Sequence, residues 1–325
     1  MMRMKTTRRV FALGAISTLL ALSSCDKWSR TQQDSAASTA PVGFVVTSID
    51  NPYFVEMVSG ARAGAAAEPK VNLTIQAPER GAVDPERQQQ LIEALIARRS
   101  GVLLVVPADS KQIVASIQAA NRANIPFIVL DNDVDQELAR QRGVRIAAFI
   151  GSDNVAGGRL AGDFVKKRLP SGGEVAILEG VAGVQAAIDR KSGFTQSVSE
   201  QQSLKVVASQ AADWDREKAY NATRAFLVAH PKLKAIFAAN DEMGLGAAKA
   251  LAEAKRRDII LVGYDATPDG RAAVNDGRMA ATIAQQPREV GRLGVDFARK
   301  ILNGEQVPPR TSVPLQVIEM SRRPQ

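Results

Sequence analysis

Val42-Gly43-Phe44-Val45-Val46-Thr47-Ser48-Ile49-Asp50-Asn51-Pro52-Tyr53-Phe54 decides the fold. Val42 to Val46 is a β-rich apolar run. It stops at small polar residues, and a proline with two aromatics then opens an amphipathic helix through Met57, Val58, Ala61 and Ala65. The stretch therefore reads as strand, short loop and helix. A strand apolar at every position is buried on both faces, which calls for a parallel sheet covered by helices. The loop then lies at the carboxyl edge, where such sheets bind ligands. Asn51, Tyr53 and Phe54 fall on that loop or in the first helical turn. Taken alone, Tyr53 and Phe54 would be a packing anchor; the rest of the chain gives them a second meaning.

The unit repeats. Val71 to Ile75 reads as a strand, Pro85 to Arg98 as a helix, Val102 to Val106 as a strand, Ser110 to Ala123 as a helix and Pro126 to Leu130 as a strand ending in Asp131-Asn132-Asp133. Ile146 to Ile150 leads into Ser152-Asp153-Asn154, where an Asx residue can cap the helix running to Lys167. Alternation of this kind is the pattern of a parallel, doubly wound α/β domain. It then restarts with a strand from Val175 to Leu178, a helix carrying Arg190, and a strand from Leu204 to Ala208 that ends near Trp214. The strands Ala235 to Ala238, Ile259 to Val262 and Ala280 to Ile283 end at Asn240, at Tyr264-Asp265 and at Gln285. A helix from Glu289 to Leu302 and a strand from Val313 to Ile318 close the chain. The expectation is an α/β protein of two lobes, and 325 residues are enough for two buried cores.

With 45% hydrophobic and 23% charged residues the composition is that of a globular protein. A formal charge of +8 invites a nucleic-acid reading, but Arg3, Lys5, Arg8 and Arg9 supply four of those charges within the first 25 residues, which carry no acid. The remainder is too evenly mixed for a DNA- or RNA-binding patch.

Those first 25 residues are an address. After the basic start, an apolar run of 13 residues from Val10 to Leu22 is too short to span a bilayer and reads as a signal-peptide core. Leu22-Ser23-Ser24-Cys25 resembles a bacterial lipobox, in which the cysteine is lipidated and becomes the new amino terminus. Cys25 is the single cysteine, so it forms no intramolecular disulfide. Thr7-Arg8-Arg9-Val10-Phe11 also resembles a twin-arginine export signal, and the general and twin-arginine routes both stay open. Residues 26–40, rich in Ser, Gln, Ala and Thr, have the composition of a flexible tether. The expected location is the periplasm or the outer face of the cytoplasmic membrane, reached through a lipid anchor.

Singly, each strand-end residue has a plain explanation. Asp131, Asn240 and Asp265 suit caps and turns, Trp214 and Tyr264 suit a core, and Arg190 suits a helix surface. Together they are carboxylates, amides, one guanidinium and flat rings at the carboxyl ends of parallel strands. That inventory fits a neutral polyhydroxylated ligand: carboxylates and amides pair with hydroxyls, a guanidinium gives fixed donors, and rings cover the C–H faces of a sugar.

The strings Asn51-Pro52-Tyr53-Phe54, Ala123-Asn124-Ile125-Pro126, Gly151-Ser152-Asp153-Asn154-Val155-Ala156-Gly157-Gly158, Asn240-Asp241-Glu242-Met243, Thr267-Pro268-Asp269-Gly270 and Ala281-Thr282-Ile283-Ala284-Gln285 occur in this order. Through them the chain resembles a periplasmic sugar-binding protein of the ribose-binding family, the receptor of an ABC importer, from Pro41 to the last strand. The resemblance implies a periplasmic binding protein type 1 fold with no cofactor and no metal, and a monomer whose partners are a sugar or polyol, an ABC permease and its ATPase. It places ligand contacts on Asn51, Tyr53, Phe54, Asp131, Asn132, Arg190, Trp214, Asn240, Tyr264, Asp265 and Gln285. It also implies three crossings between the lobes, near Ser152, Gln285 and Pro314. One lobe is then residues 41–152 plus 286–314 and the other 153–285 plus 315–325, closing on the ligand about the hinge.

The chain departs from the ribose-binding pattern at three contacts. Asn132 stands where the family has an arginine, and Trp214 and Tyr264 where it has phenylalanines. Without that arginine, Asp131 and Asp265 face Arg190 alone. The expectation is a net negative pocket, more so if Asp133 turns inward, that favours a donor-rich ligand or an amine, with the Tyr264 hydroxyl as an added polar handle.

A transcription regulator of the lac-repressor type shares the fold but needs a helix-turn-helix where this chain has an export signal and tether. An enzyme is disfavoured: Gly244-Leu245-Gly246-Ala247-Ala248-Lys249 lies inside a helix and lacks the third small residue of a dinucleotide fingerprint. The chain also has neither GxxxxGK nor GxSxG, and its one histidine, His230, sits at a helix end. A ligand sensor acting on a chemoreceptor or sensor kinase remains the alternative to transport.

Overall fold

The structure is a computed structural model that describes residues 40–78 and 84–320. The export signal, Cys25 and nearly all of the expected tether lie outside the described residues. Ala40, read as the tether's last residue, begins the first strand.

Chain order is β1 (Ala40–Val45), α1 (Pro52–Ala66), β2 (Val71–Gln76), α2 (Pro85–Ala97), β3 (Val102–Val105), α3 (Ile113–Arg122), β4 (Phe127–Leu130), α4 (Gln136–Gln141), β5 (Ala148–Ser152) and α5 (Asn154–Arg168). There follow β6 (Gly173–Glu179), α6 (Gln185–Ser199), β7 (Leu204–Ala211), α7 (Arg216–Ala229), β8 (Leu233–Ala238), α8 (Asp241–Glu253), β9 (Ile260–Asp265) and α9 (Pro268–Asn275). The last elements are β10 (Ala281–Ala284), α10 (Pro287–Leu302), β11 (Arg310–Val313) and β12 (Gln316–Glu319). One sheet has the order β11-β5-β4-β3-β1-β2, the other β12-β10-β9-β8-β6-β7. Every pairing is parallel except the antiparallel edge β10–β12. The chain passes between the sheets after β5, after β10 and between β11 and β12.

Strand periodicity sorts the first core into two layers. Phe44, Val102, Leu104, Ile128 and Ile150 pack with Met57 and Val58 of α1 and Val290 and Phe297 of α10. The alternate residues Val45, Leu103, Val105, Phe127 and Phe149 pack with Leu95 of α2 and Ile117 of α3 on the opposite face. Both faces are thus covered, as the continuous apolar runs require. In the second core, Phe194 of α6 stacks on Phe237 of β8 with ring centroids 4.7 Å apart.

Three local readings change. The expected last strand, Val313 to Ile318, is two strands in different sheets. Val313 pairs with Ser152 in parallel and Gln316 with Ala284 antiparallel, and Pro314 between them has no N–H to continue either ladder. Helix α3 starts at Ile113 rather than Ser110, because Asp109 Oδ1 accepts from Lys111 N and Gln112 N in a turn of its own. Helix α4 was not anticipated; six residues carry too little apolar periodicity, although Asp135 caps it through Leu138 N at 2.8 Å.

Candidate functional site

The predicted residues come from the carboxyl ends of the strands in both sheets or the turns that follow them, except Arg190, which lies on α6. Asn51 follows β1 and caps α1, accepting from Tyr53 N at 2.9 Å, with Pro52 at the first helical position. That cap fixes the turn bearing Tyr53 and Phe54, whose rings meet edge to face at 5.3 Å. Tyr53 is only 4% exposed and donates to Asp131 Oδ1 at 2.5 Å, its oxygen also lying 3.3 Å from Gln285 Oε1. Gln285 Nε2 donates to Asp265 Oδ1 at 2.8 Å, and Arg190 Nη1 lies 3.4 Å from the same oxygen. Asp131, Tyr53, Gln285, Asp265 and Arg190 thus form one polar chain running from the first sheet to the second.

Arg190 is the most constrained member. Its guanidinium carbon lies 3.9 Å over the Tyr264 ring and 5.5 Å from that of Trp214, Nε donates to Asn154 Oδ1 at 2.8 Å, and Nη1 donates to Ala239 O at 2.8 Å. Helix α6 reaches this depth because α5 and α6 touch backbone to backbone. A Cβ at Gly158 would collide with Arg190 O, and one at Gly193 with Val155 O.

Asn154 was not singled out as a site residue. The sequence signal was there in Asp153-Asn154: Asp153 takes the capping role through Ala156 N at 2.9 Å, which frees Asn154 for the interior. There it holds Arg190 and lies 3.4 Å from Tyr264 Oη. The Tyr264 hydroxyl is therefore no handle for a ligand. It points toward α5, where a Cβ at Gly157 would strike it.

Asn132 and Asn240 are buried beside the cluster with local duties. Asn132 Nδ2 donates to Pro107 O at 2.9 Å, and Asn240 Oδ1 caps α8 through Met243 N at 2.9 Å. Asp133 does not turn inward; its carboxylate serves Val134 N, Gln136 and, at 2.8 Å, Arg310.

Three members of the set occupy left-handed backbone, Asp131 at φ 63°, Trp214 at 60° and Asp265 at 102°. Each such residue costs roughly 1–3 kcal/mol and persists where its surroundings over-determine it. For Asp265 the support is visible. Buried Asp241 accepts from Thr267 N at 2.7 Å, Thr267 Oγ1 at 3.0 Å and Thr282 Oγ1 at 2.6 Å, and Thr282 Oγ1 accepts from Ala266 N at 3.2 Å.

Charge in the cluster differs from the expected net negative pocket. Burial raises the pKa of Asp265 to about 8, and Arg190, 3.4 Å away with Nη1 already spent on Ala239, offsets only part of it. Burial also raises Asp131, opposed by Arg190 and by the Tyr53 hydrogen bond. Arg190 stays charged; its burial is outweighed by Asp265, Tyr264, Asp131 and Tyr53. Each acid has a neutral hydrogen-bond partner, the Tyr53 hydroxyl for Asp131 and the Gln285 amide for Asp265, and burial favours the uncharged form of both, so the cluster is less negative than two bare carboxylates beside one guanidinium.

The hydrogen bonds among the described residues leave a defined remainder. Arg190 Nη2, Asn240 Nδ2, Asn51 Nδ2 and Trp214 Nε1 are donors not used in them, Asp131 Oδ2 and Asn132 Oδ1 are acceptors not used in them, and Asp265 Oδ2 accepts or, when that carboxyl is protonated, donates. Donors and acceptors both remain, with rings alongside. Among the described residues no group of three His, Cys, Asp or Glu side chains is placed to hold a metal ion. A groove of about 740 Å³, lined by Gly173, Lys205, Lys234, Arg256 and Asp258, includes none of these residues and touches β6 and β8 at their amino-terminal ends.

Residues 42–306 match the model of the periplasmic binding protein domain. The ribose import binding protein of Escherichia coli is 39% identical over 290 residues, 89% of this chain and 94% of the relative. The D-allose-binding periplasmic protein of the same organism is 36% identical over 264 residues, 80% and 84% of the two chains. Among solved structures, an ABC transporter periplasmic solute-binding protein from Actinobacillus succinogenes with bound D-allose superimposes with a TM-score of 0.81 at 32% identity, covering 86% of this chain and 97% of that one. With two mostly parallel sheets, three crossings and this match over most of its length, the chain belongs to the periplasmic binding protein family.

Proposed function

We propose that this protein is the extracytoplasmic receptor of an ABC importer and binds one small neutral sugar or polyol between its two sheets, leaving it chemically unchanged. The observation that carries this reading is the polar chain from Asp131 to Arg190, whose unused groups include both donors and acceptors and whose guanidinium lies over Tyr264. A ligand with several hydroxyls, each able to donate and to accept, and an apolar ring face complements that remainder. Relatives named for ribose import and for allose binding support the same class.

In this reading residues 41–152 plus 286–314 move as one lobe and 153–285 plus 315–325 as the other. The eleven residues from Asn51 to Gln285 make the ligand contacts, and a permease with its ATPase receives the loaded monomer. These relatives are binding proteins, each named for import or for the periplasm, and lend nothing to the sensor alternative. Cys25 anchors the protein through lipid on the outer face of the membrane. The amine ligand expected from an unpaired acid pair gives way to a neutral one, since both acids have partners.

Melting curves with pentoses, hexoses, polyols and amino sugars test the proposal, because a ligand that binds only the folded state stabilises it by about 2.7 kcal/mol at a hundred times its Kd. At least one neutral sugar should raise the melting temperature with concentration, ahead of its amino analogue. A panel in which only amino sugars or no sugars do so would sink the reading. The same material should fractionate with membranes unless Cys25→Ser is introduced.

A further inference from the structure

Tyr53 does more than supply a ring. Its hydroxyl lies 2.5 Å from Asp131 Oδ1 and 3.3 Å from Gln285 Oε1, two acceptors of the candidate site. An oxygen within reach of both is what a ligand hydroxyl directed at this corner would otherwise provide. The side chain has little freedom to vacate the position. Its backbone N–H is held by the Asn51 cap, its ring meets Phe54 edge-on, and it is 4% exposed.

Proton count sharpens the point. A phenol has one proton, and the shorter bond gives it to Asp131. Burial and the neighbouring acids Asp131 and Asp265 hold that phenol protonated, against the pull of Arg190. Asn132 cannot take over, because its amide is turned to Pro107 O at 2.9 Å. On this side Asp131 Oδ1 is engaged by the phenol, and Oδ2 is the oxygen with no protein donor.

We propose, building on the sugar-binding reading, that Tyr53 is a specificity-determining residue whose hydroxyl stands in for one ligand hydroxyl, so that the cleft selects a sugar carrying hydrogen at that corner. A hydroxyl brought there finds Asp131 Oδ1 already filled and the space occupied by the phenol oxygen. Replacing Tyr53 by Phe removes one oxygen, frees Asp131 Oδ1, and restores both room and a partner for the hydroxyl.

The experiment is calorimetric titration of the wild type and Tyr53→Phe with pentoses and hexoses, each paired with its monodeoxy analogues. In the wild type one deoxy analogue binds at least as tightly as its parent. In Tyr53→Phe the parent-to-deoxy affinity ratio for that pair rises about tenfold, as expected for one buried hydroxyl gaining a partner. A wild type that prefers the parent in every pair overturns the inference, and so does a ratio unchanged by the substitution. The wild-type arm decides alone if melting shows Tyr53→Phe to be unfolded. Failure of every sugar to bind the wild type rejects the sugar-binding reading itself, and is told apart from both outcomes above by the absence of any titration.

Discussion

At the residue scale, Arg190 depends on a neighbour that touches no ligand in this account. Asn154 accepts from Arg190 Nε at 2.8 Å and is buried with it, so removing that oxygen leaves a charged donor unpaired and free to tilt off Tyr264. Asn154→Ala should weaken sugar binding about tenfold, the lower end of the 1.5–3 kcal/mol for hydrogen bonds to charged groups. Asn154→Asp, which keeps the acceptor, should restore most of the affinity. Equal losses in both variants, measured by calorimetry, would mean that packing rather than the acceptor matters. The chemical types in the site were legible in the sequence, since the polar groups other than Arg190, which lies on α6, sit at or just after strand ends. Their pairing was not: that Tyr53 serves Asp131 and Gln285 serves Asp265 depends on residues 78 and 20 positions apart meeting in three dimensions. The left-handed backbone at Asp131, Trp214 and Asp265 was equally hidden, because none of the three is a glycine.

At the element scale, helix α6 lacks a cap of its own. Val184 occupies the N-cap position without a side-chain hydrogen bond, and the missing acceptor comes from the other sheet's connections. Ser110 Oγ accepts from Gln185 N at 2.9 Å, while Ser110 N donates to Gly183 O at 3.2 Å. Separation of the lobes would therefore uncap the helix that carries Arg190. Losing an N-cap costs about 1 kcal/mol, so Ser110→Ala should lower sugar affinity about fivefold without altering any ligand contact. Small-angle scattering at sub-saturating sugar should show a larger mean radius of gyration than the wild type. A variant matching the wild type in both measurements would show that closure does not use this cap. This cap was not legible, because it is decided by a partner in another part of the chain; the apolar pattern likewise read Val313 to Ile318 as one strand, and only the family resemblance marked the crossing near Pro314. The strands buried on both faces, by contrast, declare themselves in continuous apolar runs such as Val102 to Val106, which is why the α/β alternation could be read directly.

At the scale of the whole molecule, the buried acids make stability depend on pH in an unusual direction. Asp265, with a pKa of about 8, and Asp241, with one of about 6, are both raised by burial above the ordinary carboxylate value. Between the unfolded value near 4 and these folded values the native state binds more protons than the unfolded chain, so stability falls as pH rises. The surface carboxylates lowered by ion pairs, among them Asp163, Glu200 and Asp296, act below that window, where acid removes their contribution. The sugar-free protein should therefore melt a few degrees higher at pH 5 than at pH 8, and Asp265→Asn should flatten that slope. A melting temperature that climbs from pH 5 to pH 8 would contradict burial as the dominant influence on these two carboxyl groups.

The closing of each sheet by late segments has a consequence for the order in which the protein can fold. Helix α10 lies against α1, and β11 supplies an edge of the sheet that β1 begins, while β12 completes the other. A chain synthesised or threaded from its amino terminus thus lacks a finished hydrophobic layer over α1 until residues near Phe297 are present, and an edge of each sheet until Val313 and Glu319 follow. Such wiring delays commitment: contacts between the two ends of the chain carry a large loop-closure cost and form late. Incomplete chains would stay loose and pliable, and the native architecture would appear in one step when the final segments arrive.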